Sequence, residues 1–238
     1  MASDTTTLAL AGTAAWLGFV HTILGPDHYL PFVMMSWARK WSGAKTALIT
    51  FLCGLGHVAG SVVLGMVGVA IGAALDKLEL IESRRGDLAA WLLIGFGLAY
   101  LMWGIRRLYR GKSHVHSHTH LKDGGHAHPH THLGEHSHVH TGEKASIAPW
   151  TLFIIFVFGP CEPLIPILMY PAAKGGYASV ALIALVFSAV TIGTMLGAVL
   201  LARRGVNFLP MEHLQRYAHV LAGAMILLCG LAIVFLGL

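Results

Sequence analysis

The sequence predicts an all-α membrane protein of six transmembrane helices, arranged as two inverted three-helix repeats. Three observations carry that prediction. The 238 residues are 55% hydrophobic and only 11% charged, whereas a soluble domain carries about 25% charged residues. Several apolar stretches reach about 20 residues, the length that crosses a bilayer core. Two of these stretches break at Gly-Pro in the same manner, at Gly25-Pro26 and at Gly159-Pro160.

Apolar length places the spans near 8–36, 45–75, 88–105, 148–172, 177–202 and 215–237. The first is too long for one straight crossing and contains Gly25, Pro26 and Pro31, so a broken helix is expected. The fourth is interrupted likewise at Gly159, Pro160, Pro163 and Pro166. Spans two and five are rich in small residues (Gly54, Gly56, Gly60, Gly65, Gly68 and Gly72; Gly193 and Gly197). Such residues let helices approach closely where water drives no association. The chain then divides into a first repeat (1–110), a flexible His-rich loop (111–146) and a second repeat (147–238).

The repeat is visible where FVHTILGPDH (19–28) aligns with FIIFVFGPCE (153–162). Each ends an apolar run with Gly-Pro, two polar or soft-ligand residues and a further proline. Three spans per half is an odd number, so the second copy must insert upside down. Inverted repeats place binding sites near the midplane, where broken helices face each other.

Basic residues orient the chain. The connections 1–2, 3–4 and 5–6 carry 12 Lys and Arg, against 4 (Lys77, Arg84, Arg85 and Lys174) on the opposite side. The positive-inside bias therefore puts the His-rich loop in the cytoplasm and both termini outside. The net charge of +5 reflects this bias and gives no reason to expect a nucleic-acid partner. MASDTTTLAL has no positive n-region, so no cleaved signal peptide is expected. Cys53, Cys161 and Cys229 form no CxxC pair, which suggests neither a disulfide framework nor a zinc knuckle.

The polar residues inside the spans are the candidate site. An ionisable group at mid-bilayer costs about 2.5–3.5 kcal/mol on insertion scales, so His21, Asp27 and His28 need a compensating partner. Pro26 lacks an N–H and leaves carbonyls free near Asp27, a condition tolerated only against protein or a water-filled cavity. His57 joins them from span two, with Ser61 one turn further on to orient a site. Cys161 and Glu162 occupy the equivalent place in span four. Imidazoles, a thiolate and carboxylates form a borderline-soft set that suits nickel, cobalt, zinc or copper rather than magnesium or calcium. An Asp–His pair satisfying itself inside the bundle is the plainer reading of the first cluster. Cys161 is equally readable as a small core residue. Thr191 and Thr194 are weaker candidates, because membrane threonines usually bond their own backbone. His213 and His219 read as interfacial or packing residues.

Between spans three and four lie His114, His116, His118, His120, His126, His128, His130, His132, His136, His138 and His140, 11 of the chain's 16 histidines. Alternating imidazoles chelate borderline metals in many interchangeable geometries. The tract reads as a capture device, with a pH-dependent polycation as the competing reading.

At these residues the chain resembles the nickel/cobalt transporter superfamily, including its urease-accessory-protein-like membrane branch. That family's His-x4-Asp-His signature corresponds to His21-x5-Asp27-His28, one residue longer, and its Leu-Gly-His stretch to Leu55-Gly56-His57. The resemblance implies a non-enzymatic transporter of divalent transition-metal ions, nickel or cobalt first and zinc, copper or iron next, with no prosthetic group. His21, Asp27, His28 and His57 would bind the ion and Cys161 and Glu162 complete or gate the site. The bilayer and the ion are the expected partners; a homo-oligomer or a metal-delivery protein stays open. Gly159 to Pro166 also looks distantly like the thiol–disulfide membrane transporters of cytochrome biogenesis, which pair two cysteines where this chain has Asp27 and Cys161. A reductant conduit and a metal chaperone that never translocates are therefore the alternatives.

Overall fold

A computed structural model describes residues 2–72, 74–110, 114–118, 126–130, 147–161, 163–174, 176–208 and 212–237. Among them, five helices are long and apolar enough to cross a membrane: Thr5–Leu24, Gly43–Ala70, Leu75–Tyr109, Tyr177–Val206 and Ala218–Leu236. Large apolar side chains such as Trp16, Leu185 and Leu201 face outward, each about two-thirds exposed. That surface suits hydrocarbon, and the architecture is that of an integral membrane protein.

The first helix, α1 (Ala2–Leu24), ends where Gly25 N–H makes its last bond to the His21 carbonyl at 3.0 Å. A 3-10 turn, Pro26–His28, follows, and then α2 (Leu30–Ala38). Pro31 was expected to help break the helix. It lies instead in the first turn of α2, where a missing N–H costs nothing. α1 is also long enough to cross alone, so the first span is two segments and not one bent crossing.

Ser42 caps α3 (Gly43–Ala70), accepting from Lys45 N–H at 3.2 Å. α4 runs Leu75–Arg110 and begins 13 residues before the apolar run from 88 that marked span three. Its charged first turns, LDKLELIESRR, are thus helical, and Arg85 belongs to the protein interior rather than to the loop where it was counted. α5 (Ile147–Phe158) and α6 (Leu164–Ala173) flank the second break. Gly159 and Pro160 are non-helical and Pro163 caps α6, whereas Pro166 lies in the first turn of α6 and breaks nothing. α7 (Tyr177–Phe208), the short α8 (Glu212–Gln215) and α9 (Ala218–Leu236) complete the body.

In the His-rich connection, β1 (His114–His118) pairs antiparallel with β2 (His126–His130), setting His114, His116 and His118 opposite His130, His128 and His126. The stretch expected to be flexible thus contains a short ladder. H-x-H alternation is also the period of a strand, and Asp123-Gly124-Gly125 is hairpin-turn sequence. His120, His132, His136, His138 and His140 lie outside the described residues.

Packing crosses the two halves. α1 lies on α7, α5 and α6 lie on α3, α3 meets α7, and α4 runs against α9. Two apolar clusters result. One gathers Phe32, Met35, Leu93, Leu152, Phe156 and Ile226; the other gathers Val58, Leu164, Leu168, Ile183 and Phe187. The two breaks meet between them.

The small residues of span two do admit close neighbours, a Cβ on Gly60 lying 3.0 Å from the Val157 carbonyl oxygen, whereas those of span five do not; α4 and α9 also approach closely at glycine. A Cβ on Gly223 would lie 2.5 Å from Leu101 Cα, and one on Gly97 2.7 Å from Leu227 Cα. At Gly193 or Gly197 a Cβ would meet nothing within 4 Å. Leucine at Gly97 or Gly223 must therefore push two backbones apart, a cost of about 1–3 kcal/mol or more. We expect either variant to lower the thermal unfolding midpoint in detergent by several degrees, while Gly193→Leu leaves it within a degree or two.

Candidate metal centre

The first break presents His28. Its Nδ1 lies 3.1 Å from the Gly25 carbonyl oxygen and 3.3 Å from Asp27 Oδ1. A carbonyl oxygen only accepts, so this nitrogen carries a proton, and in the neutral ring Nε2 then offers a lone pair. Gly25 makes the turn feasible, since a Cβ there would lie 2.5 Å from His28 Nδ1. Asp27, expected as a ligand, thus faces the protonated side of the ring. Holding an imidazole from behind is how carboxylates fix the tautomer of metal-binding histidines.

From α3, His57 points its Nε2 at two groups: His28 Nε2 at 3.3 Å and Cys161 Sγ at 3.0 Å. His21, in the last turn of α1, meets His28 edge-on with centroids 4.7 Å apart. It lies parallel to His57, at 6.3 Å and 9°. Its Nε2 is buried with no hydrogen-bond partner. His21, His57 and Cys161 each offer a ligand atom, all within 4.8 Å of one another, and His28 joins through His57.

The donor set fits a transition-metal ion. Bonds of about 2.0–2.3 Å in tetrahedral array put donors about 3.3–3.8 Å apart; His28 and His57 Nε2 lie 3.3 Å apart, His57 Nε2 and Cys161 Sγ 3.0 Å, and His21, His57 and Cys161 fall within 4.8 Å of one another. With the His28 proton on Nδ1, its Nε2 lone pair faces His57 Nε2, where a hydrogen bond or a shared cation can satisfy it. A cavity of about 360 Å³ reaches His21, Asp27, His28 and His57 and is walled by Pro160 and Pro163.

The second break is built by an exchange of partners. In a continuous helix Cys161 N–H would donate to the Val157 carbonyl. Here Cys161 N–H donates to Ser61 Oγ at 3.1 Å, and Arg85 Nη2 supplies the carbonyls of Val157 at 2.9 Å and Gly159 at 3.5 Å. Arg85 Nη1 also donates to Glu82 Oε1 at 2.8 Å and Ser61 Oγ at 3.4 Å. Gly159 lets this break close on His57, because a Cβ there would lie 2.7 Å from His57 Nδ1. Glu82, fully buried, and Arg85 escaped the sequence reading. Their i,i+3 spacing just ahead of an apolar run was the available signal.

Glu162 lies outside the described residues. Thr191 packs on α1, its Oγ1 3.0 Å from where a Cβ on Gly18 would be. His219 accepts or donates at Tyr100 Oη, 2.9 Å away, far from the centre in sequence and packing. Cys53 and Cys229 belong to one apolar cluster and Cys161 to the other, and all three are free. Comparison with family models, with curated proteins and with solved structures finds no match. The fold and site define a membrane protein with a buried His/Cys group suited to a metal ion.

Breaking a buried ion pair costs about 3–5 kcal/mol, and an orphaned buried N–H about 1–3 kcal/mol. Arg85→Ala is therefore expected to lower the unfolding midpoint more than Ser61→Ala does. Both should weaken metal binding, measured by calorimetry on the purified protein, although neither residue is a ligand.

Proposed function

We propose that the chain moves divalent transition-metal ions across a membrane, nickel or cobalt first, through a midplane site of His21, His28, His57 and Cys161. The observation that carries this reading is the group His21, His57 and Cys161, whose ligand atoms all lie within 4.8 Å of one another, with His28 Nε2 3.3 Å from His57 Nε2. A structural metal would need no cavity, but this group borders one. The packing supports inverted repeats: a pseudo-two-fold exchanging the halves turns the α1–α7 contact into α5–α3 and the α2–α7 contact into α6–α3, and maps α4–α9 onto itself. In this reading each break forms half of the site, as in transporters built from inverted repeats.

Asp27, about one-fifth exposed, orients His28 and in this reading takes up a proton when the ion leaves. The His-rich connection, on the cytoplasmic side by the basic-residue bias, collects ions or holds them. The thiol-conduit alternative gains nothing from the geometry, since no second cysteine shares the apolar cluster of Cys161.

Flux of nickel, cobalt, zinc, copper and iron into proteoliposomes tests the proposal. His57→Ala and Cys161→Ser are expected to lower saturable flux at least about 100-fold, and Asp27→Asn, which keeps the ligands, about 10- to 100-fold. Wild-type flux in His57→Ala would remove the site from the pathway. Binding without flux in the parent would favour the non-translocating chaperone. Because a thiol ligates as thiolate, calorimetry in buffers of different ionisation enthalpy should show at least one proton released per ion. Affinity should fall as pH drops, because protons compete with the ion for the thiolate and imidazole ligands.

A further inference from the structure

A second polar cavity, about 220 Å³, lies at the opposite end of α2 from the metal centre, lined by Ser36, Trp37, Lys40, Trp41, Arg203 and Gln215. It occupies the boundary where the spans Gly43–Ala70 and Ala218–Leu236 begin and Tyr177–Val206 ends. Trp37 and Trp41 are the residue type that anchors at that depth.

Lys40 is the anomaly. Among the described residues it is the one non-glycine residue with positive φ, at 52°. It closes α2 in a Schellman arrangement: Lys40 N–H donates to Trp37 O at 3.3 Å and Trp41 N–H to Ser36 O at 2.9 Å. Glycine takes this position freely, and a side chain there is disfavoured. Strained residues of this kind are retained where the side chain has a use, and Lys40 lines the cavity.

The remaining groups agree on the ligand. Arg203 spends Nη2 on the Trp41 carbonyl, at 3.0 Å. Residues 33–50 contain no Asp or Glu, and residues 201–217 contain Glu212 alone. Gln215 Oε1 is buried with no donor. Two cations therefore call for an anion, and a bare acceptor calls for a hydroxyl. Basic pockets between helix ends at a membrane surface bind anionic headgroups.

We propose that this cavity binds the headgroup of an anionic lipid, a phosphodiester carrying a free hydroxyl. The phosphate meets Lys40 and Arg203, the hydroxyl donates to Gln215 Oε1, and Val33 and Val206 line the apolar wall. Such a site makes lipid composition a determinant of α2, the helix that follows the turn carrying His28.

The test uses the purified full chain in detergent, titrated with phosphatidylglycerol, phosphatidylcholine, glycerol 3-phosphate or inorganic phosphate, with thermal unfolding and native mass spectrometry as readouts. Phosphatidylglycerol alone should raise the midpoint and remain bound. Lys40→Gly should raise the midpoint without lipid, by relieving the backbone, yet weaken phosphatidylglycerol binding at least tenfold. A purely structural lysine would not give these opposite signs. Arg203→Gln should weaken binding comparably, and both variants should retain metal affinity. An equal response to phosphatidylcholine, an unaltered phosphatidylglycerol response in Lys40→Gly and Arg203→Gln, or an equal shift from inorganic phosphate or glycerol 3-phosphate would each overturn the lipid assignment.

Discussion

Everything at the centre of this molecule depends on how the backbone is satisfied where Pro160 stops a helix inside the membrane. In a bilayer interior each unsatisfied backbone group costs several kcal/mol. Ser61 takes the Cys161 N–H and Arg85 supplies the carbonyl that Cys161 would have bonded. The side chain of Cys161 is thereby held 3.0 Å from His57 Nε2. At the first break the Gly25 carbonyl accepts the His28 N–H at 3.0 Å and also faces His28 Nδ1 at 3.1 Å, which turns the ring's Nε2 inward. At the second break side chains satisfy the broken backbone, and at the first a turn carbonyl orients the ring; in both, a donor atom is aimed inward.

This dual use accounts for charge in an apolar interior. Arg85 and Glu82 form a pair at 2.8 Å whose desolvation is offset because the guanidinium also serves two carbonyls and a hydroxyl. A buried pair with no further partners would be a poor choice over apolar packing. The glycines follow the same logic. Gly25 and Gly159 leave room for His28 and His57, while Gly97 and Gly223 let α4 and α9 close into a rigid outer pair that carries Arg85 to the break.

Much of the layout was legible in the sequence, because length, hydropathy and Gly-Pro are local signals. His21, His28, His57 and Cys161 were readable as a group, since ionisable residues in apolar runs are costly and must converge on something. Asp27 was readable as part of the site but not its side of the ring, which depends on the 3-10 turn after Gly25. The functions of Glu82 and Arg85 were hidden, because ELIESRRG reads as a charged loop until α4 is known to start at Leu75. Pro31 and Pro166 misled for a related reason. Proline breaks a helix only beyond its first turn, and where a helix begins is a tertiary decision. The glycine contacts of α4 and α9 likewise depend on which helices meet.

The central claim is that three imidazole nitrogens and one sulfur converge to bind a transition-metal ion. X-ray absorption at the metal edge, on purified protein loaded with one equivalent of nickel or cobalt and deleted for residues 114–140 to silence the His-rich tract, addresses this directly. The account predicts one sulfur at about 2.3 Å and two or three imidazole nitrogens near 2.0–2.1 Å, with the sulfur shell lost in Cys161→Ser. A spectrum of oxygen ligands alone, or a sulfur shell that persists in Cys161→Ser, would contradict it.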